Sequence, residues 1–460
     1  MGSIQEQVGI NPKPISGDVP SLLRFAWPSV LSFVAGSLFR VNDQFWIQHL
    51  GSSAQEALGA VTFLLILDFA AYFVAIAGSM SLIARASGAG KLKDRDSAIR
   101  HALFTSAMIG VLVGIMGYNF AVPLADLLDL AEAQRAPFID YVRTIHLWSG
   151  ALSLAPLVSN IFISMGDSAT PLKLQMGSVL ANFVLNPLLI YELDWGSEDM
   201  ISGTNMGMAG AAHASGISRA LSMAVGLTIL VFRHRIKLWN PKDIVIRRIL
   251  PILRVGIPSA SSIGIYALVY ACIVRVIMAQ LPEASLGGLS IGFNAFEGLA
   301  FPFYLGVSVA GASLIGRNLG AGNRTEARRT MRSMRLVNLC QGLFFAAVFY
   351  FGAPYLVPLF TNDPQVFAEA SMYVTIIAVS QVFVALEAVE EKALLGMGHT
   401  RPIFAISVPG NLLRLPLAWF LAIYLDWGAM GVWWTINIST TLKALAFHLA
   451  VRAQAELKPQ

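Results

Sequence analysis

One carboxylate stands out in this chain of 460 residues. Asp43 lies in an apolar run from Leu22 to Gln48. An ionisable group inside such a segment costs roughly 2.5–3.5 kcal/mol on insertion scales, so it faces the protein interior and marks function by default. Ser32, Gly36, Phe39 and Asp43 share one helical face, on a run bent by Pro28 and loosened by Gly36. A carboxylate held there can take and release a proton near neutral pH. The plain alternative is an ion pair with Arg40, one turn away. Asn182 and Asn186 sit four apart, just before Pro187, and present two amides on one face. Asn160 and Ser215, the latter near His213, add polar groups in other apolar runs. Each alone is ordinarily helix–helix glue; with Asp43 they could form one polar pocket. Asp68 is a weaker candidate that could pair with Arg219, and His213 alone reads as structural.

The second half of the chain carries a different set. Arg275, Glu297, Glu387, Glu390, Glu391, Lys392, Arg414 and Lys443 all lie in or near apolar runs. Glu387, Glu390 and Glu391 occupy one side of a helix. The expected arrangement is a mutually neutralised cluster with Arg414 and Arg275, in preference to a second coupling site. No P-loop, no Gly-x-Ser-x-Gly and no His/Cys metal spacing is present. Gly88-Ala89-Gly90 is a tight turn after a helix. The chain is therefore not expected to be an enzyme or to need a cofactor, and an ion gradient must supply its energy.

The elements that position these groups follow from composition. Hydrophobic residues make up 56% of the chain and charged ones 13%, with a mean hydropathy of +0.64. That charged share is about half the usual one for a soluble domain. Apolar runs longer than twenty residues recur, and each can cross a bilayer as a helix. The short alternating segments of a barrel are absent. Twelve spans are expected, at about 22–48, 57–84, 98–128, 137–165, 171–193, 207–233, 248–280, 285–316, 331–360, 367–397, 402–425 and 430–452. Cys272 and Cys340 sit in these runs and read as small core residues.

The chain is also duplicated. Ser81-Leu82-Ile83-Ala84-Arg85-Ala86-Ser87-Gly88-Ala89-Gly90-Lys91 returns as Ser313-Leu314-Ile315-Gly316-Arg317-Asn318-Leu319-Gly320-Ala321-Gly322-Asn323, matching at seven of eleven positions at an offset of 232. Met165-Gly166 and Met397-Gly398 repeat at the same offset, as do Leu193-Asp194-Trp195-Gly196 and Leu425-Asp426-Trp427-Gly428. The expected organisation is a cytoplasmic tail 1–21, a first lobe 22–235, a linker 236–247 and a second lobe 248–455. Six spans per half give both halves one orientation, related by an axis along the membrane normal. Lys and Arg crowd three loops, around Lys91–Arg100, Arg233–Arg248 and Arg317–Arg335. These loops and both termini are therefore expected on the cytoplasmic side. The net charge of +5 lies in such loops and points to no nucleic-acid partner.

Twelve spans in two halves, with S-L-I-x-R-x-x-G-A-G after spans two and eight, resemble the multidrug and toxic compound extrusion (MATE) transporters. So do Asn42-Asp43, Met165-Gly166-Asp167 and Met397-Gly398-His399-Thr400-Arg401-Pro402. The resemblance implies an all-α membrane protein of two six-helix lobes around a central cavity, working as a monomer in the cell's inner membrane. It implies export of amphipathic, often cationic small molecules in exchange for H⁺ or Na⁺. The family's coupling aspartate carries over onto Asp43, and its polar positions onto Asn160, Asn182 and Ser215. Two departures matter. A family aspartate is Asn186 here, and span seven lacks the glutamate of the Na⁺-linked branch. The chain looks closer to the DinF-like, H⁺-coupled branch. The rival readings are a Na⁺-coupled exporter and a flippase for lipids or lipid-linked oligosaccharides. A flippase would line its cavity with cations, for which Arg275 and Arg414 are candidates.

Overall fold

The computed structural model describes residues 15–192, 204–237 and 244–454. The repeat at 193–196, most of the insertion at 197–206, Lys242 and both chain ends lie outside them. The described residues fold into helices α1 (Val19–Ile47), α2 (Ser52–Gly88), α3 (Leu92–Leu127), α4 (Glu132–Leu147), α5 (Ser149–Met165), α6 (Ala169–Ile190), α7 (Gly207–Phe232) and α8 (Ile246–Cys272). They continue through α9 (Glu283–Ile291), α10 (Gly298–Gly320), α11 (Arg324–Leu356), α12 (Pro364–Met397), α13 (Arg401–Leu412), α14 (Arg414–Trp419) and α15 (Ala429–Arg452). Among the described residues no strand occurs.

Nine of these helical stretches are long and apolar enough to cross a bilayer. α4 and α5 pass together as a tenth, bent by 56° between Leu147 and Ser149. α6 and α15 are long enough, at 22 and 24 residues, but their polar residues lower their apolarity. Asn182 and Asn186 do so in α6, and Asn437, Ser439, Thr440 and Lys443 in α15. Cys272 and Cys340 are exposed, not core residues as expected. Lipid is as apolar as a core, so a small apolar side chain gains little by turning inward.

Local chemistry explains the repeated motifs. Met165-Gly166 and Met397-Gly398 are helix ends. Gly166 and Gly398 adopt left-handed φ of 91° and 78°, which favours glycine. The Gly398 amide donates to Leu395 O and that of His399 to Leu394 O, which satisfies two terminal carbonyls. Asp363 caps α12 by accepting from the amides of Gln365 and Val366 at 2.8 and 3.2 Å.

The residues group into two compact units whose borders depart from the expected lobes. Of the described residues, unit 1 holds 35–83 and those within 91–260; unit 2 holds 15–34, 84–90 and 261–454. The start of α8 joins unit 1 because glycines let its backbone touch α2. A Cβ on Gly78 would overlap Ile252 O, and one on Gly256 would overlap Val74 O. The start of α1 joins unit 2 the same way, with Gly306 of α10 against the backbone of Val30. Such close crossings replace the hydrophobic drive that lipid removes. The Arg85 guanidinium donates to Met397 O at 2.6 Å within unit 2, so this basic residue ties down a helix end.

Unit 1 is packed around Phe138, Tyr141 and Ile145 at one level and Ile83, Phe162 and Ile252 at another. Unit 2 has a core around Tyr304, Phe349, Tyr373 and Trp433. Among the described residues all three π-helical segments lie in unit 2, at Ile273–Ile277, Gly292–Glu297 and Phe420–Tyr424.

Candidate functional site

In unit 1, α1, α6 and α7 converge on Asp43. Asn182 Nδ2 donates to Asp43 Oδ1 at 3.0 Å and Asn186 Nδ2 to the same oxygen at 2.9 Å. Ser215 Oγ donates to Oδ2 at 2.8 Å. The pair of amides reaches one oxygen because residues four apart stack on one helical face. Asn42 Nδ2 donates to Asn182 Oδ1 at 2.7 Å and accepts at Oδ1 from Trp46 Nε1 at 3.1 Å, which fixes the orientation of the Asn182 amide. Asn182 and Asn186 are fully buried. Asn186 Oδ1 is buried without a hydrogen-bond partner. A flip of that amide would offer it to a protonated Asp43, so the cluster can serve both charge states.

The alternative pair with Arg40 does not form; Arg40 is exposed and Asp43 is met by neutral donors. The cation that acts on Asp43 is Arg219, whose guanidinium lies 4.7 Å from the centre of the buried Phe39 ring. Asp68 does not pair with Arg219, as expected, but with His146, at 3.2 Å. Asn160 lies apart from Asp43 and donates to Ile76 O at 3.3 Å. His213 accepts from Trp148 Nε1 at 3.0 Å. Arg219 was read only as a possible partner of Asp68, and His146 and Trp148 went unassigned in the sequence; the one signal for Arg219 and His146 was an ionisable group inside an apolar run.

Unit 2 is arranged differently, and the cluster is neutralised by other cations than those expected. Lys443 Nζ lies 2.8 Å from Glu387, and Lys392 Nζ lies 2.6 Å from Glu391. Glu390, fully buried, is held by Arg335 at 2.8 and 2.9 Å and by His448 at 2.9 Å. Arg414 instead donates to Ser439 Oγ at 2.8 Å and Thr440 Oγ1 at 3.1 Å. Its guanidinium lies 5.5 and 5.6 Å from the ring centres of Tyr266 and Tyr270, and its Nη1 is buried without a hydrogen bond. Glu297 accepts a hydrogen bond from Tyr373. Arg275 is exposed and outside the cluster.

A family model for MatE matches residues 28–188 and 258–420, one stretch in each half. The chain belongs to the MatE family. Its members are membrane transporters, which fits a polar cluster inside a bilayer-crossing scaffold. Similar MatE-type relatives include a probable multidrug resistance protein NorM of Thermotoga maritima, 28% identical over 93% of this chain and 91% of the relative. An FAD transporter of Shewanella oneidensis is 24% identical over 94% of each chain. Among solved structures, an outward-facing multidrug resistance MATE transporter of the MOP superfamily aligns with a TM-score of 0.87 at 20% identity, covering 99% of both chains. A MOP superfamily transporter from Pyrococcus furiosus, whose binding pocket of reversed polarity suggests a different function, aligns at 0.86, also at 20%, over 97% of both. The twelve-helix MatE fold is therefore shared.

Proposed function

We propose that the chain is a multidrug exporter of the cytoplasmic membrane, exchanging amphipathic cationic compounds for H⁺ by alternating access, with Asp43 as the coupling group. The observation that carries this is the Asp43 cluster: a carboxylate in a bilayer-crossing helix, held by three neutral donors and open to a change of charge. Ionised, it attracts a cationic drug; protonated, it loses that attraction, so proton and drug compete. Relatives named as multidrug resistance proteins support the substrate class. Asn186 in place of an acid, and a span seven without a carboxylate from Ile246 to Gln280, favour H⁺ over Na⁺. The basic loops at Lys237 and Arg324 and both termini face the cytoplasm.

A proton crossing 100 mV gains about 2.3 kcal/mol, and each pH unit adds about 1.4 kcal/mol. For a monovalent cation exchanged against one proton the electrical terms cancel. Either the pH difference alone drives export, or more than one proton is used. The test is ethidium export by purified protein in liposomes, with a pH gradient or a sodium gradient imposed separately. Export driven by pH alone is expected; export that follows only the sodium gradient sinks proton coupling.

A second reading has its own observation. Arg414, stacked by two tyrosines with a free Nη1, suits a planar or phosphorylated anion, and one relative is named an FAD transporter. Transport of FAD or of a labelled anionic lipid in the same liposomes, in place of ethidium, would favour it.

A further inference from the structure

Unit 1 holds a second buried titratable pair that the Asp43 cluster does not use. His146 ends α4, and its Nδ1 lies 2.7 Å from Val142 O. A carbonyl oxygen only accepts, so Nδ1 carries a hydrogen. The tautomer is thereby fixed, and Nε2 is left for Asp68 Oδ2 at 3.2 Å. Nε2 makes no well-aligned hydrogen bond there, but two lone pairs at that separation would repel, so the contact favours one proton shared by the pair. The pair is either imidazolium with carboxylate or imidazole with carboxylic acid, with one exchangeable proton in both cases. His146 is 3% exposed.

The setting is built for these rings. A Cβ on Gly117 of α3 would overlap the His146 ring, and one on Gly216 of α7 would overlap the Trp148 ring. Both rings therefore sit on bare backbone, on either side of the 56° bend. Few other titratable groups face the pair. α2 brings Asp68 and Tyr72, α3 brings glycine backbone, α5 brings Ser149, and α7 brings His213 behind Trp148. Tyr141 and Arg219 act on Asp43. The route to Asp43 is short: His146 adjoins the bend, Trp148 donates to His213, and Ser215 two residues on donates to Asp43.

We propose that Asp68 and His146 form a second proton-binding site in unit 1, whose proton holds the bend between α4 and α5 and whose release is linked through α7 to Asp43. The proton enters from the outer water and leaves to the cytoplasm; no other bond changes. Losing it sets an Nε2 lone pair against a carboxylate, which drives the ring off Asp68 and relaxes the bend. This rests on the proton-coupled reading and supplies a second proton, which would let the membrane potential as well as the pH difference drive export of a monovalent cation.

The test counts protons released per ethidium bound by purified protein in weak buffer. Asp68→Asn keeps a donor toward the ring and His146→Gln keeps one toward the carboxylate, and each removes the exchangeable proton. Wild type should release two protons per ethidium, Asp43→Asn one, and either pair variant one. A pair variant with wild-type melting temperature and an unchanged count overturns the proposal and leaves Asp43 coupling intact. If wild type releases none, Asp43 coupling falls. The pair is then judged in wild-type protein by nitrogen NMR of the His146 ring, assigned with His146→Gln. A ring signal that changes between about pH 5 and about pH 9 supports the site, and one that does not overturns it, also where the variants fail to fold.

Discussion

The two halves of the sequence are copies, and the carboxylates at Asp43 in unit 1 and on span ten in unit 2 are partnered in opposite ways. In unit 1 the central carboxylate, Asp43, is dressed by neutral amides and a hydroxyl. In unit 2 the span-ten carboxylates each hold a cation within 3 Å. A carboxylate among neutral donors can change protonation with only small losses among its neighbours. A carboxylate bonded to a lysine or arginine cannot, since its protonation would strand the partner charge. Duplication thus preserved the Met-Gly helix ends while the polar content diverged. A change of charge at Asp43 would strand no bonded cation, whereas one at Glu387, Glu390 or Glu391 would.

The comparison breaks first at Asp43. Asp43→Asn keeps size and hydrogen bonding but fixes the neutral state. Gradient-driven ethidium export should fall to the level of empty liposomes, while Glu387→Gln in unit 2 keeps most of it. If Asp43→Asn exports as well as wild type at matched incorporation, the coupling group lies among Asp68, Glu297 and the span-ten glutamates.

Stability should show the reverse. Lys443→Ala strands the Glu387 charge, and removing one member of a buried pair costs about 3–5 kcal/mol. Its melting temperature should drop markedly, and Glu387→Gln in the same background should restore part of it. No loss in the single variant would mean that Glu387 is solvated.

A smaller effect separates Arg414 from that pair. Arg414→Ala removes two hydrogen bonds and two ring contacts, about 1–2 kcal/mol in all. Adding Glu387→Gln should not rescue it. Rescue would return Arg414 to the role of counter-ion to span ten.

The smallest expected change sharpens unit 1. Ser215→Ala removes one donor to Asp43, about 1 kcal/mol, so ethidium affinity should weaken about fivefold or less. Asn160→Ala, which touches only Ile76 O, should leave that affinity unchanged. Equal losses would place Asn160 in the binding site.

The sequence alone determined the twelve spans, the duplication and the helix-ending Met-Gly pairs, because hydropathy, repeat offset and turn chemistry are local properties of the chain. It also singled out Asp43, since a charge in an apolar run is conspicuous without any partner. The choice of partners was decided by tertiary structure. Asn182, Asn186, Ser215 and Asn160 look alike in sequence, yet only the first three reach Asp43, because reach depends on how each helix is rotated and how high it stands. Arg414 was the expected partner of the span-ten glutamates, but the packing of α15 gave Glu387 to Lys443. Asp68 met His146 in place of Arg219 because Gly117 leaves room for a ring beside α3, a vacancy that exists only once the helices are packed.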